Sequence, residues 1–373
     1  MSDSYTRVTT PAGPVFLRRG SEVISKIDSI VFDCDGVLID ARNSYDRAIQ
    51  ETLDRITGEI FGIRITWKDR VREMIQSLRM TGGFNNDWDT TYALSLFAAV
   101  SLPSDLRGVA AAGSVGKRPR AIGPSLSSEV ASGVARLVGK FSRLPSRPGH
   151  NSVNRFVRDS LSADDRKLCN AVAEYEGYPG TPPTSRLASM FDEMYHGPEL
   201  YREMYGAEPK YYEGRGYIED DELLVNEQDV AFLSRRLGGR LALATGRPSG
   251  ATWHSLGGLM SYFRSDASVF IGDADRGPRY RAKLLAFKKP SGLSLIHARR
   301  RLRSKMLLYV GDSAEDVQMV RNARRSWRGM SFAGVYGTAD SPDARRKFFM
   351  ENGAELILPG VAALPGLIRS AQS

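Results

Sequence analysis

The sequence has very little cysteine: Cys34 and Cys169 are the only two in 373 residues. With four scattered histidines they form neither a disulfide framework nor a zinc-ligand spacing. Such sparing use suits a reducing compartment. No apolar stretch approaches the roughly 18 uncharged residues of a membrane span, and "MSDSYTRVTTPAGPVF" at the start lacks the hydrophobic block of a signal peptide. The expectation is a soluble, cytoplasmic protein with no membrane partner. Acidic residues all but vanish between Arg107 and Arg158, where ten Lys or Arg stand against Glu129 alone. That stretch therefore carries a formal charge equal to the +9 of the whole chain, and the rest is close to neutral. Its aromatics are reduced to Phe141 and Phe156 while Gly, Ser, Pro and Ala abound. It reads as a basic, flexible insertion at about 103–165, with a short helix near 127–141.

What is present is αβ alternation. With 42% apolar residues the chain can build two cores. Short apolar runs occur at "SIVFDCD" (29–35), "GRLALAT" (239–245), "SVFIGD" (268–273), "KMLLYVGD" (305–312), "GVYG" (334–337) and "AELIL" (354–358). Helical stretches at 249–259, 291–302 and 314–325 separate them. Continuous apolar strands imply helices on both faces of a parallel sheet. Residues 60–225 contain no comparable strand and look helical. The expected fold is α/β: a Rossmann-like parallel-sheet core from 1–40 and 228–373, with a large, mostly helical cap domain at 41–227.

In an open αβ sheet, ligands bind beyond the carboxyl ends of the strands. The first run ends in Asp33 and Asp35, the second in Thr245, the fourth in Asp312, and Lys289 precedes a helix that reaches the same edge. Three carboxylates, a hydroxyl and an ammonium point to a metal ion and a phosphate, and oxygen ligands favour Mg²⁺. Cys34, between the two aspartates, alternates away from them and reads as core.

These residues resemble the haloacid dehalogenase superfamily of phosphatases and phosphotransferases. Its four motifs are matched in order by DCDGVLID (33–40), ATGRP (244–248), KKP (288–290) and GDSAED (311–316). The resemblance implies that Asp33 is a nucleophile forming an aspartyl-phosphate. It further implies that Asp35 is the general acid and base, and that Mg²⁺ is held by Asp33, the Asp35 carbonyl and Asp312. Asp316, one helical turn after Asp312, would orient or supplement that shell. Thr245 and Gly246 would hold phosphoryl oxygens, and Lys289 would offset their charge. Of Lys288 and Lys289, the residue directly before Pro290 matches the pattern better. True dehalogenases lack an acid at the position of Asp35, so the resemblance points to phosphoryl chemistry.

About 210 residues separate Asp33 from Thr245, which places the helical cap between the first and second motifs. Within it, "RMTGGFNNDWDTTYAL" (79–94) resembles the substrate-specificity loop of such caps. Phe84, Asn85, Asn86, Asp87 and Trp88 are the candidate substrate contacts, against a competing reading as a capped helix hairpin with Trp88 in the cap core. The function implied is a Mg²⁺-dependent phosphatase acting on a small phosphorylated metabolite. The alternatives are a phosphomutase or phosphotransferase with the same motifs, or a nucleic-acid-binding protein using the basic insertion. Few aromatics there are available for base stacking, which disfavours nucleic acid as a partner.

Overall fold

The computed structural model describes residues 4–67, 70–81, 83–84, 86–107, 120–144, 149–276, 281 and 284–370. The chain divides into two compact units, an α/β unit of Met1–Ala41 with Asp220–Ser373 and a helical unit of Arg42–Glu219. The first part of the α/β unit holds strands β1 (Tyr5–Thr10), β2 (Gly13–Arg18), β3 (Ser29–Phe32) and β4 (Ile39–Asp40), with a short helix α1 (Val23–Lys26). The helical unit follows with α2 (Arg42–Phe61), β5 (Ile63–Arg64), α3 (Arg70–Arg79), α4 (Asp87–Ser101) and β6 (Arg120–Ala121). It ends with α5 (Pro124–Phe141), α6 (Gly149–Ser160), α7 (Ala163–Glu176) and α8 (Arg186–Tyr205). The chain then completes the α/β unit with β7 (Glu222–Leu223), α9 (Glu227–Arg236), β8 (Leu241–Thr245), α10 (Ser249–Leu256) and β9 (Val269–Phe270). Last come α11 (Leu293–Leu302), β10 (Leu307–Gly311), α12 (Ala314–Arg324), β11 (Met330–Val335), α13 (Pro342–Glu351), β12 (Leu356–Leu358) and α14 (Leu364–Ser370). No described helix is long and apolar enough to cross a membrane.

The α/β unit is built on one eight-stranded sheet of order β1-β2-β12-β11-β10-β3-β8-β9. From β12 to β9 every pairing is parallel. Every residue of β3, β8, β10 and β11 is buried, as expected of strands covered on both faces. On one face Val31, Leu307 and Tyr309 share a core with Leu295, Ala298 and Leu302 of α11 and Val317 and Val320 of α12. On β3, Phe32 meets Phe263 edge to face at 6.0 Å. This is the α/β architecture with a helical insert that the sequence leads one to expect.

Two elements differ from expectation. The run at 268–273 contributes only Val269–Phe270 as strand and then turns into a 3₁₀ helix over Ile271–Arg276. The first eighteen residues, unremarked in the sequence, supply the antiparallel hairpin β1–β2, which pairs antiparallel with β12 and extends the sheet.

In the helical unit α4 is the central element. It is buried from Thr90 to Val100 on every side, the condition in which an all-round apolar helix is stable. Asn86 caps its start by accepting from the Trp88 amide at 3.0 Å. The described part of the basic segment is helical and contributes to this core. Val130, Val134, Val138 and Phe141 of α5 and Val153 and Phe156 of α6 are buried, and Phe141 meets Phe84 and Phe156 at 5.5 and 5.7 Å. Arg136, Lys140, Arg143, Arg155 and Arg158 stay exposed. Sequence composition suggested looseness because those cations dominate it; the apolar positions at helical spacing decide the structure. Residues 108–119 and 145–148 of the segment lie outside the described residues.

One acid in this unit gives a measurable pH dependence. Asp54 on α2 accepts from Trp67 Nε1 at 2.8 Å. Burial pushes its carboxyl up to about 6 and Glu51 adds to the rise, against the Trp67 hydrogen bond and Arg64. Since the folded value exceeds the unfolded one, the carboxyl's contribution to stability is complete at low pH and lost as pH rises through about 6. Asp54→Asn, which keeps an oxygen for Trp67, should be more stable than the parent by about 3 kcal/mol at pH 8, with the advantage shrinking toward pH 4. Urea denaturation across that range checks this, and parallel pH profiles would contradict it.

Candidate active site

The central strand β3 delivers the first acid. Asp33 continues its ladder through a 2.8 Å bond from its amide to the Val310 carbonyl. Its Oδ1 accepts from the Cys34 amide at 2.8 Å and its Oδ2 from Lys289 Nζ at 2.5 Å. Cys34 is fully buried, as its alternation predicts, and its carbonyl accepts from the amides of Val37, Leu38 and Ile39. That tight loop needs Gly36, whose φ is +73°. A Cβ on Gly36 would stand 2.5 Å from Asp312 Oδ2, so this glycine also lets the loop approach the neighbouring strand end. Thr338 Oγ1 holds the Gly36 carbonyl at 2.8 Å, and Arg345 donates to the carbonyl of Asp312.

Strand β10 lies beside β3 in parallel and brings Asp312 to the same edge. Ser313 caps α12 in a capping box with Asp316. Carboxylate oxygens of Asp33, Asp312 and Asp316 lie within 4.8 Å of one another. Lys289 bridges two of them, 2.5 Å from Asp33 and 2.7 Å from Asp316, while Lys288 is exposed. Asp316 is saturated with donors. Its Oδ1 accepts from Tyr309 at 2.8 Å in addition to Lys289, and its Oδ2 from the amides of Asp312 and Ser313 and the Ser313 hydroxyl.

Electrostatics separate these acids. Burial raises Asp316, yet Lys289 and the hydroxyls of Ser313 and Tyr309 outweigh it and hold the carboxyl below its usual range. Burial lifts Asp33 to about 8, since the neighbouring Asp316 and Asp312 offset the help of Lys289. Burial and Asp316 lift Asp312 to about 7, against Arg345 and Lys289. Burial works against the charge on Lys289 as well, but Asp316 and Asp33 hold its ammonium well above the ordinary range. One ammonium is therefore too little positive charge for three buried carboxylates, and an all-oxygen set of this kind suits a hard divalent cation. Asp33 and Asp312 have the capacity to hold it. Asp316, expected to orient or supplement the metal shell, holds Asp312, Ser313 and Lys289 and lies within the same cluster of carboxylate oxygens.

At the end of β8, Thr245 is buried and its Oγ1 accepts from the Arg247 amide at 3.1 Å. Gly246 is exposed, with open space where a side chain would be. Arg247 was not singled out by the sequence. Its side chain is fully buried and donates to Asp35 at 2.9 Å, to Asp221 at 2.7 Å and to Ser255 at 3.0 Å. The side chain of Asp35 thus pairs with an arginine at the same sheet edge.

The turn before α4 has the features of the competing reading, a capped helix start with Trp88 buried. Phe84 is not a surface contact: it is fully buried and packed on Phe141, which corrects its assignment to substrate. Asn86 caps α4, Asp87 pairs with Arg79 at 2.9 Å, and Trp88 Nε1 donates to Asp192 at 2.9 Å. Asn85 lies outside the described residues.

No protein-family model matches the sequence, and no curated protein matches it. Solved structures do. A structural-genomics target determined by X-ray diffraction shares 18% identity at a TM-score of 0.60, over 92% of this chain and 98% of its own. Phosphatase Tt82 from Thermococcus thioreducens shares 21% identity at a TM-score of 0.50, over 84% of this chain and 94% of its own. With the strand order, these likenesses show that the chain shares the fold of those structures, a parallel-sheet α/β unit with a helical insert.

The close approach at Gly36 is testable against a control. Gly36 and Gly20 have nearly equal positive φ, +73° and +76°, but a Cβ at Gly20 would meet nothing within 4 Å. Gly20→Ala should cost only the conformational penalty of about 1–2 kcal/mol. Gly36→Ala should cost clearly more in the same denaturation experiment, and equal losses would mean that Asp312 yields freely.

Proposed function

We propose that the chain is a Mg²⁺-dependent phosphatase that hydrolyses a small phosphomonoester through an aspartyl-phosphate on Asp33. The observation that carries this reading is the surroundings of Asp33: a carboxylate at the end of the central strand, 2.5 Å from Lys289 and beside Asp312 and Asp316. Burial and neighbouring acids raise Asp33 to about 8 and Asp312 to about 7, so a cation beside them would favour their charged forms. Asp33, Asp312 and the backbone carbonyl of Asp35 would hold Mg²⁺. Bound there, the ion supplies neutralisation of the charge on the attacking carboxylate and the transferred group.

In the first step an Asp33 oxygen attacks phosphorus, and the bond to the ester oxygen breaks with its electron pair staying on that oxygen. Asp35 gives that oxygen its proton. In the second step Asp35 takes a proton from water as the water oxygen attacks phosphorus, and the bond to Asp33 breaks to restore the carboxylate and release phosphate. The Lys289 ammonium, the Thr245 hydroxyl and the Gly246 amide hold the phosphoryl oxygens. An acid at position 35 serves an alcohol leaving group, which supports a phosphorylated metabolite as the substrate class.

The purified protein should release phosphate from 4-nitrophenyl phosphate with Mg²⁺ and stop when the metal is chelated. Asp33→Asn should lose at least about a thousandfold in rate, more than 4 kcal/mol in the barrier, together with the acid-stable phosphoryl label. Asp35→Asn should still be labelled by this aryl ester while turning over poorly. Full turnover in chelator, or a labelled Asp33→Asn protein, would refute the reading.

A further inference from the structure

We infer that Arg247 is a positioning residue that holds the Asp35 carboxylate in place for its two proton transfers, an inference that rests on the phosphatase reading above. The geometry is a socket with one movable member. The Arg247 side chain is fully buried, and its NH2 group donates to Asp221 and to Ser255 at 2.7 and 3.0 Å. Ser255 also donates to the same Asp221 oxygen at 2.9 Å. The Asp221 side chain is 3% exposed, so Arg247 and Asp221 form a buried ion pair. The NH1 group reaches outward to Asp35 at 2.9 Å, and Asp35 is 40% exposed.

The consequence follows from what each partner loses by moving. Removing Asp221 would strand a buried guanidinium, a change that costs several kcal/mol in comparable pairs. Moving Asp35 costs less, because Asp221 and Ser255 still hold the NH2 group of the cation. Arg247 therefore acts as a fixed, forked perch. It fixes the direction of a half-exposed carboxylate beside the Thr245 hydroxyl, to whose oxygen its own amide donates. A purely structural arginine would need only Asp221.

The test separates steps that need Asp35 from the step that does not. In single turnovers with Mg²⁺, 4-nitrophenolate leaves from its phosphate ester without a proton, whereas the more basic phenolate from phenyl phosphate benefits from one. Arg247→Lys keeps a charge beside Asp221 but loses the fork that reaches both acids. Arg247→Met combined with Asp221→Leu removes both members of the buried pair together. In each, the ratio of phenol to nitrophenol release should fall at least about tenfold relative to the parent, equal to about 1.4 kcal/mol. Hydrolysis of the phosphoenzyme, which needs Asp35 as base, should slow as well. Equal losses on both esters in whichever variant folds would show that Arg247 serves the fold alone and overturn the inference. If the parent itself gives no acid-stable phosphoryl group on Asp33, the phosphatase reading falls first, and this inference with it.

Discussion

Three carboxylates can share one buried sheet edge only because an ammonium stands among them. Lys289 contacts Asp33 and Asp316 directly, and burying either acid without a partner would cost several kcal/mol. The rest of the edge follows from that arrangement. With one Asp316 oxygen shared by Lys289 and Tyr309, the other is free to hold the turn that begins α12. That turn fixes the direction of Asp312, and Asp312 in turn sets how closely the Gly36 loop can approach. The chemistry proposed for Asp33 is thus tied to the charge balance at this sheet edge.

Much of this edge is legible in the sequence, for a physical reason. Strands buried on both faces must be continuous apolar runs, and a polar residue where such a run stops stands at the strand end; Asp33, Thr245 and Asp312 declare themselves in this way. The choice of Lys289 over Lys288 also agrees with the structure, where Lys289 alone of the two turns inward to the acids. Other features leave weaker traces. The β1–β2 hairpin sits at the sheet margin, with alternating and partly exposed residues, and resembles a polar leader more than a strand pair. In α5 the apolar positions recur at helical spacing, but glycine, serine and arginine outnumber them. Arg247 could not be recognised as buried, because burial of a cation depends on Asp221 and Ser255, which are distant or unremarkable in sequence.

The chain buries acids in two contrasting ways. Asp316 is surrounded by donors, and Glu193 Oε2 receives the successive amides of Lys210, Tyr211 and Tyr212, which ties the segment after α8 to the helix. Glu176, fully buried at the end of α7, has no comparable set, and burial pushes its carboxyl well above the usual range despite help from Ser95. Donors hold Asp316 charged and directional, whereas burial favours the neutral form of Glu176.

The two-residue ladder between β4 and β7 has a consequence for how such a chain tolerates change. Ile39 and Asp40 pair antiparallel with Leu223 and Glu222, so the segments that leave and re-enter the α/β unit are already joined at the base. For the sheet, everything between them is one loop whose closure is secured locally. Because the entropy of closing a loop grows only with the logarithm of its length, helices could be added to or trimmed from residues 42–219 at little cost to the sheet. The acids at its edge, lying on the near side of that clasp, would keep their places while the intervening domain diversified.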